Sequence, residues 1–436
     1  MGIMENQEEF LRVGRRKSVG RDRRGIVVMV AIVVALAIIA VAAAVVTRPS
    51  APGPVNARIS VATQTIDSVG DVGQYSSLNL LSDGAPQIVY YNATDHSLKV
   101  ASWDGTGWEI FAPLTPTPLG GDDVGKYCSA AVNSTNETFV SAFDATTSSL
   151  VFASIAGNNY TKVLDSSSNA GNYSSIAVNN YTNTIVISYY DQPNANLRIA
   201  VNHSGNSAWQ TSNVDTGGDV GQYSNIVTGY ANDSYSILYY DATGSALKQA
   251  VKWGPSASVT RTLDSGGDVG KWPSQAMMGA NWYAAYYDQA NGNLKYMSHI
   301  GSAGSAPVVV DGSGSVDVGQ YTSIGINSTG VPFISYYDVT NGYLKLAWND
   351  SGWKNVTLDS TGDVGKFTSL KIDSNDVVYI SYYDVTNGNL KLVSIQPSDL
   401  VTLIPEFGTL VIPVMGIVGA VMMVLVQGRK REIGDQ

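Results

Sequence analysis

One pattern organises this sequence and occurs seven times: roughly Asp-Ser-x-Gly-Asp-Val-Gly-x-Tyr-x-Ser, followed by Ile-Ser-Tyr-Tyr-Asp-x-x-x-Gly-x-Leu-Lys. An aromatic residue after each Gly-Asp-Val-Gly turn marks the copies, which are spaced 46–52 residues apart: Tyr75, Tyr127, Tyr173, Tyr223, Trp272, Tyr321 and Phe367. A period of this length is typical of repeat architectures, in which each unit buries its apolar faces against its neighbours. Most of the chain is therefore predicted to form one array of similar units.

Each copy contains four short segments with the composition of β-strands. In the sixth copy these are Tyr321–Asn327, Val331–Asp338, Tyr343–Trp348 and Trp353–Leu358, separated by turns that contain glycine. Four strands repeated seven times predict an all-β fold, a seven-bladed β-propeller with four-stranded blades. An open β-solenoid is the alternative architecture.

The ends of the array indicate how the ring closes. The seventh copy stops after its third strand, Leu390–Ile395, and an unmatched strand, Arg58–Ile66, precedes the first copy. The N-terminal strand is therefore expected to complete the last blade, which removes the exposed sheet edges. The propeller is predicted to span residues 57–396.

Two long apolar segments, one on each side of the propeller, predict two membrane anchors. Residues 1–24 are basic, and segment 25–47 contains 22 uncharged residues, Gly25–Val46, enough to span a bilayer as an uncleaved signal anchor; a cleaved signal peptide is the alternative. Linkers are expected at 48–56 and 397–404. Segment 405–431 contains a second apolar run followed by Arg429, Lys430 and Arg431, and 432–436 is a short tail. Because basic residues stay on the cytoplasmic side, both termini are predicted to be cytoplasmic and the propeller extracellular, at the cell membrane.

The C-terminal segment resembles the archaeal PEF-type sorting signal, which consists of a Pro-Glu-Phe motif, one apolar span and a basic cluster. The matching motif is Pro405, Glu406, Phe407 and Gly408. The resemblance implies processing by an archaeosortase, with cleavage near this motif and transfer to a lipid anchor. An ordinary transmembrane helix is the alternative.

The predicted strand order places two sets of aspartates on one face of the propeller. The first set directly precedes the Val-Gly of the turn that begins each copy: Asp71, Asp123, Asp219, Asp268, Asp317 and Asp363. The second set ends the Tyr-Tyr-Asp motifs: Asp144, Asp191, Asp241, Asp288, Asp338 and Asp384. Copy three has Asn169 in the first set, and copy one has Asn92 in the second.

Three interpretations of these aspartates stay open: stabilisation of tight turns, binding of Ca²⁺ by carboxylate oxygens, or contact with sugar hydroxyls. No cofactor is required by the sequence. One tyrosine of each Tyr-Tyr pair is expected to pack between blades and the second to lie near the acidic rim. The candidate ligand-binding set therefore includes the second tyrosines: Tyr91, Tyr190, Tyr240, Tyr287, Tyr337 and Tyr383.

A lysine follows a leucine on the third strand of five copies: Lys99, Lys248, Lys295, Lys345 and Lys391. Because successive side chains of a strand point to opposite faces, the leucines are expected to be buried and the lysines to be solvated.

The predicted extracellular part is rich in Asn-x-Ser/Thr sequons, which are candidate N-glycosylation sites. They include Asn92, Asn133, Asn136, Asn159, Asn172, Asn180, Asn202, Asn232, Asn327, Asn349 and Asn355.

Composition excludes several classes of function. A net charge of −10 argues against nucleic acid as a partner, and the single cysteine, Cys128, excludes an internal disulfide. Cys128 is expected to be a buried small residue in place of Ser or Thr. The histidines, His96, His203 and His299, do not have the spacing of metal ligands.

The repeats resemble the propeller repeats of bacterial and archaeal surface proteins, near the BNR/Asp-box class. The segment Ser102-Trp103-Asp104-Gly105-Thr106-Gly107-Trp108 approximates the Asp-box. Sialidases of that class use three arginines, whereas the predicted propeller contains only Arg58, Arg198 and Arg261, so sialidase activity is not expected.

The favoured function is that of a non-catalytic binding or adhesion module for glycans or for envelope components such as an S-layer. A structural envelope scaffold is the alternative, and a glycan-active hydrolase is least favoured because it needs one asymmetric pocket with two carboxylates. A binder should expose aromatic rings on the Asp-bearing face, whereas a scaffold should bury them.

Overall fold

The computed structural model describes residues 61, 63–113, 123–155, 160–167, 169–203, 208–229, 234–300, 303–312 and 314–401. All of them belong to the second of two compact units, Asn56–Gln436. The predicted membrane anchors and the Pro405–Gly408 motif lie outside these residues. Within the described part of the chain, no helix is both long and apolar enough to cross a membrane.

The described residues form seven antiparallel sheets, the blades. Blade 1 contains β2 (Val72–Leu80), β3 (Pro86–Asn92), β4 (Ser97–Trp103) and β5 (Trp108–Phe111). Blade 2 contains β6 (Val124–Val132), β7 (Thr138–Asp144), β8 (Ser149–Ile155) and β9 (Tyr160–Asp165). Blade 3 contains β10 (Ala170–Asn179), β11 (Thr184–Asp191), β12 (Asn196–Asn202) and β13 (Trp209–Asp215). Blade 4 contains β14 (Val220–Thr228), β15 (Tyr235–Asp241), β16 (Ala246–Lys252) and β17 (Val259–Asp264).

Blade 5 contains β18 (Val269–Met278), β19 (Asn281–Asp288), β20 (Asn293–Ile300), β21 (Ala303–Gly304) and β22 (Val308–Asp311). Blade 6 contains β23 (Val318–Ile326), β24 (Pro332–Asp338), β25 (Tyr343–Asn349) and β26 (Trp353–Asp359). Blade 7 contains β27 (Val364–Ile372), β28 (Val378–Asp384) and β29 (Asn389–Ile395), completed by β1 (Thr63–Asp67). The seven-bladed propeller predicted from the repeat is confirmed.

The predicted ring closure is also confirmed. Strand β1 pairs antiparallel with β29, so that blade 7 has the order β1-β29-β28-β27. The predicted strand began at Arg58, and residues 58–60 and 62 lie outside the described residues.

Two details differ from the four-strand pattern. In blade 5 the two-residue strand β21 pairs with the end of β20, and β22 pairs with its beginning, which makes five strands. The segment predicted as a linker after the propeller begins with a short helix, α1 (Pro397–Val401), whose Leu400 is buried in the apolar core of blades 6 and 7.

The innermost strand of every blade contains a bulge at the aromatic residue that marks the repeat. In blade 6, Gln320 pairs with Tyr337 and Ser323 with Ser335, so the register shifts around Tyr321. Tyr321 has φ +55°, and all seven marker aromatics have φ between 45° and 55°. A left-handed backbone costs roughly 1–2 kcal/mol per non-glycine residue. Contacts made by the aromatic side chain must therefore offset this cost at each of the seven positions.

The apolar core lies between blades rather than inside one sheet. One cluster joins Val186 and Leu197 of blade 3 to Val220, Ile226 and Ile237 of blade 4, all of them buried. Similar clusters form between other neighbouring blades. Each blade therefore depends on its neighbours for burial of its faces, as a repeat architecture requires.

Candidate functional site

The structure confirms that the two sets of aspartates lie on one face. The backbone N–H of Asp71 donates to Thr94 Oγ1 at 2.7 Å, and the carbonyl of Asp71 accepts from the N–H of Ala93 at 2.7 Å. These bonds join the loop before a blade to the loop between its second and third strands. The same bond from an aspartate N–H to a threonine hydroxyl occurs at Asp123–Thr146, Asp219–Thr243, Asp317–Thr340 and Asp363–Thr386. We call this surface the Asp-bearing face.

The second tyrosine of each pair is bonded to the first-set aspartate of the next blade. The phenolic O–H groups donate over 2.5–2.8 Å in six pairs: Tyr91–Asp123, Tyr190–Asp219, Tyr240–Asp268, Tyr287–Asp317, Tyr337–Asp363 and Tyr383–Asp71. These six tyrosines are only 2–7% exposed. Burial, followed by the hydrogen bond to Asp268, raises the pKa of Tyr240 to about 12. Buried rings on this face are the pattern expected of a scaffold.

The second-set aspartates stabilise their own turns. Asp338 Oδ1 accepts from the N–H of Asn341 at 3.0 Å, and Asp338 Oδ2 accepts from Asn341 Nδ2 at 3.0 Å. Asp384 and Asn387 repeat this arrangement. All six second-set aspartates are less than a tenth exposed. The turn-stabilising interpretation is confirmed for the five that accept a backbone N–H of their turn: Asp144, Asp241, Asp288, Asp338 and Asp384. Within the described part of the chain, Asp191 accepts only from Asn194 Nδ2, at 3.0 Å. Ligand binding by either set stays a prediction.

The described residues of this face offer no ready metal centre. Among the described residues, no three His, Cys, Asp or Glu side chains lie close enough together to share a metal ion. Calcium binding, which the sequence left open, stays untested.

The first tyrosine of each pair belongs to a buried triad that joins two blades. Its O–H donates over 2.6–2.8 Å to an aspartate at the end of the preceding blade's outer strand. A cation from the third strand pairs with the same carboxylate. The six triads are Asp67–Tyr90–Lys99, Asp165–Tyr189–Arg198, Asp215–Tyr239–Lys248, Asp264–Tyr286–Lys295, Asp311–Tyr336–Lys345 and Asp359–Tyr382–Lys391.

The prediction that the repeated lysines are solvated is wrong. Lys99, Lys248, Lys295, Lys345 and Lys391 lie 2.5–2.7 Å from a carboxylate oxygen, and their side chains are 7–15% exposed. As expected from strand alternation, the lysines lie on the opposite face of the sheet from the leucines. In a propeller, however, the preceding blade covers that face as well. The missed signal was joint variation: copy two has Ala142 and Val151 where the other copies have the tyrosine and the cation.

The marker aromatics form a closed ring around the central axis. Neighbouring ring centroids, from Tyr75 around to Phe367 and back, are 4.5–5.1 Å apart. These side chains and the residues that follow them line a central cavity of about 410 Å³, in which hydroxyls predominate. Ser174 Oγ, for example, donates to the carbonyl of Tyr127 in the preceding blade at 3.0 Å. The cavity is therefore lined by groups that also join the blades.

Cys128 takes the place of this serine in blade 2, as expected. Its Sγ donates to the carbonyl of Tyr75 at 3.1 Å, and burial raises the pKa of the thiol.

The opposite face carries the turns between first and second strands and between third and fourth strands. Its described residues include two grooves between blades that are lined by tryptophans. Groove 7/1, of about 510 Å³, lies between blades 7 and 1 and is lined by Gln64, Asp83, Gly84, Ala85, Pro86, Trp103, Asp104, Gly105, Trp108, Tyr379, Leu392 and Ser394. Groove 4/5, of about 380 Å³, lies between blades 4 and 5 and is lined by Gly229, Tyr235, Ser236, Gln249, Val251, Trp253, Val259, Arg261, Met277, Ala280, Trp282 and His299.

Sequence reasoning missed both grooves because they lie where the copies differ. In groove 7/1, the rings of Trp103 and Trp108 contact each other edge to face, with their centroids 5.7 Å apart. In groove 4/5, Trp253 is 65% exposed. An exposed tryptophan in a turn is a weak signal in one sequence, and only the neighbouring blade completes each groove.

The sequons divide by accessibility. Asn92 and Asn202 are 0% and 2% exposed, so the folded propeller has no room for a glycan on either side chain. Asn136 and Asn180 are exposed, and Asn133, Asn172, Asn327, Asn349 and Asn355 are half-buried. Asn159 and Asn232 lie outside the described residues. Glycosylation of the accessible sequons stays a prediction.

No family model matches the sequence, and no curated protein matches it. Among solved structures, the chain is similar to AofleA from Arthrobotrys oligospora, with 13% identity, a TM-score of 0.45 and coverage of 70% of this chain and 94% of that one. It is similar to the fucose-specific lectin from Aleuria aurantia, with 10% identity, a TM-score of 0.45 and coverage of 68% and 99%. A prolyl endopeptidase gives 12% identity and a TM-score of 0.49, with coverage of 75% and 51%. At such low values these similarities do not favour one function over another.

Proposed function

We propose that this chain is a non-catalytic binding module at the cell surface, and that it binds glycans in the two grooves of the face opposite the Asp-bearing face. The observation that carries the proposal is the presence of accessible tryptophan beside polar groups in each groove. Sugar rings have apolar C–H faces that pack on aromatic rings and hydroxyls that need hydrogen-bond partners, and concave sites of this size suit such ligands.

The repeated tyrosines and aspartates do not offer an equivalent surface. Tyr337 is 5% exposed, and its O–H is already bonded to Asp363. A sugar could stack on that ring only if the blades separated. We therefore place the glycan sites at the grooves and assign the Tyr–Asp pairs to joining the blades.

The carboxylates of groove 7/1 do not suit a glycoside hydrolase. Asp104 Oδ1 accepts from the N–H groups of Thr106 and Gly107, and these bonds hold the pKa of Asp104 below its ordinary value. Asp83 Oδ1 accepts from the N–H of Ala85 in its own turn. A glycosidase needs one carboxyl with a raised pKa as general acid. The turn bonds of Asp104 favour the ionised state, which is the opposite of what a general acid needs.

Display at the cell surface is the remaining part of the proposal. It is supported by the apolar segments on both sides of the propeller, by the resemblance of the tail to a PEF-type signal, and by exposed sequons at Asn136 and Asn180. The partners are then the membrane, an archaeosortase-like enzyme, and glycans or S-layer components of the envelope.

A structural envelope protein without a small ligand is the second candidate. The burial of the six second tyrosines favours it. The two candidates differ in whether the grooves are occupied, and that can be measured.

The test is binding of the full chain to a panel of neutral and acidic glycans, with Trp103→Ala, Trp253→Ala and the double variant. We expect saturable binding by the wild type and a loss on the order of tenfold or more in the double variant, as for about 1.4 kcal/mol of lost contact. Tyr181→Ala is the matched control, because Tyr181 is 74% exposed and lines neither groove. Thermal melting confirms that each variant is folded. Absence of saturable binding to every glycan would favour the scaffold.

A further inference from the structure

Groove 4/5 differs from groove 7/1 in the charge of its lining. Groove 7/1 contains Asp83 and Asp104, whereas groove 4/5 contains Arg261 and no described Asp or Glu. We infer that groove 4/5 selects a sugar that carries a carboxylate, a hexuronic acid, with Arg261 as the group that binds the anion. This inference rests on the proposed function and names the ligand class of one of its sites.

Arg261 is held on one side and open on the other. Its Nε and Nη2 donate to Gln249 Oε1 at 2.8 Å and 2.6 Å. The guanidinium has five N–H groups, so three remain, including both on Nη1. Arg261 is exposed and makes no ion pair with any described residue. Because Gln249 occupies the Nε–Nη2 edge, the Nη1–Nη2 edge is left to bind a carboxylate through two parallel hydrogen bonds.

A buried chain of hydrogen bonds fixes the position of Gln249. Gln249 is 3% exposed, and its Nε2 donates to Ser236 Oγ at 2.8 Å. Ser236 Oγ donates to Gln275 Oε1 at 2.8 Å, and Gln275 Nε2 donates to the carbonyl of Asn225 at 2.7 Å. This series of hydrogen bonds begins at Gln249 in blade 4 and continues to Gln275 in blade 5. Residues from both walls of the groove therefore fix the position of Arg261, through Gln249.

This network replaces apolar packing found in the other blades. The residues at the position of Gln249 are Val100, Phe152, Ile199, Tyr296, Leu346 and Leu392. Burying a polar amide is unfavourable unless its hydrogen bonds are made, and here the amide oxygen is used to orient Arg261. The departure from the repeat therefore creates a preorganised cation at the groove.

The rest of the groove suits a sugar ring beside the carboxylate. Trp253 is 65% exposed and Val259 67% exposed, which gives an accessible apolar surface. Trp282 is 7% exposed, and its Nε1 donates to Gln275 Oε1 at 2.7 Å, so the same network holds this ring. A cavity of about 380 Å³ is in the range of small-ligand sites.

The test compares two probes by titration calorimetry with the full chain: methyl β-glucuronide, and methyl β-glucoside, which has a hydroxymethyl group in place of the carboxylate. We expect the glucuronide to bind at least tenfold more tightly, with a preference that weakens as salt is added. Arg261→Met should abolish the preference. Gln249→Met keeps the charge but releases the guanidinium, and should lower the preference several-fold. Lys354→Met, at a half-buried lysine of blade 6 that lines neither groove, is the control and should change neither affinity.

Equal affinity for the two probes, or a preference that survives Arg261→Met, would overturn this inference and leave glycan binding in place. Acetate that binds as tightly as the glucuronide would also overturn it, because the sugar ring would then contribute nothing. Failure of both probes, together with failure of every glycan in the panel, would overturn the proposed function itself.

Discussion

The Asp-bearing face and the opposite face of this propeller use polar and aromatic side chains in different ways. On the Asp-bearing face, a tyrosine such as Tyr383 is 7% exposed and its O–H is bonded to Asp71 of the next blade. On the opposite face, Trp253 is 65% exposed, and Arg261 has N–H groups without a partner among the described residues. The repeated residues bind one another, whereas the groups that are free to bind a ligand lie where the copies differ.

The physical reason is that the ring has seven joints between blades, and the same Tyr–Asp contact serves at six of them. A residue needed for joining blades is needed at every joint, so it recurs in nearly every copy. A ligand site needs only one location, and both proposed sites lie where the copies depart from the repeat. Repetition in this chain therefore indicates structural residues better than functional ones.

The largest expected effect comes from breaking a buried triad. Lys391→Met leaves the Asp359 carboxylate, 2% exposed, without its cation, and an unpaired buried charge costs about 3–5 kcal/mol of unfolding free energy. Urea denaturation followed by tryptophan fluorescence measures the change. Lys354→Met is the control, because the Lys354–Asp350 pair is 31% and 57% exposed and such pairs contribute less than about 1 kcal/mol. Equal losses in the two variants would contradict the structural importance of the triads.

Acid should reduce the difference between wild type and Lys391→Met. Burial raises the pKa of Asp359, but hydrogen bonds from Lys391, Thr361 and Tyr382 lower it by more, so the folded-state pKa lies below the ordinary value of 3.8. This stabilisation is complete above the unfolded-state pKa and is lost as the pH falls through the folded-state pKa. In the variant, burial acts without the cation, so protonation of Asp359 is favourable. Denaturation between pH 6 and pH 3 should show the two curves converging; a constant or growing gap would contradict this assignment.

The smallest expected effect tests the Asp-bearing face as a ligand site. Tyr337→Phe removes the hydrogen bond to Asp363, whose side chain is 37% exposed and can be rehydrated, so we expect a loss of about 1 kcal/mol. Glycan affinity should change less than twofold. Blade 2 already has Phe143 at this position and faces Asn169, so the fold tolerates the change. A large loss of glycan binding with intact melting behaviour would return the binding site to the Asp-bearing face.

Most of the fold could be predicted from the repeat. The strands of blade 6 were predicted to within three residues, and the closing strand was recognised because the seventh copy lacked a fourth strand. The face shared by the aspartates followed from strand order alone. The burial of Lys391 could not be predicted from its strand, because alternation shows which side of a sheet a residue occupies and not what covers that side.

The sequence by itself determined the seven-fold repeat, the ring closure, and the face on which the aspartates lie, because periodicity and strand direction are properties of the chain. Only the tertiary structure decided which side chains are hydrogen-bonded or ion-paired with one another and which remain accessible to a ligand. The bond between Tyr337 and Asp363, the triads, and the network behind Arg261 all cross from one blade to the next. Contacts between blades depend on how neighbouring sheets pack, and no local pattern in the sequence specifies that geometry.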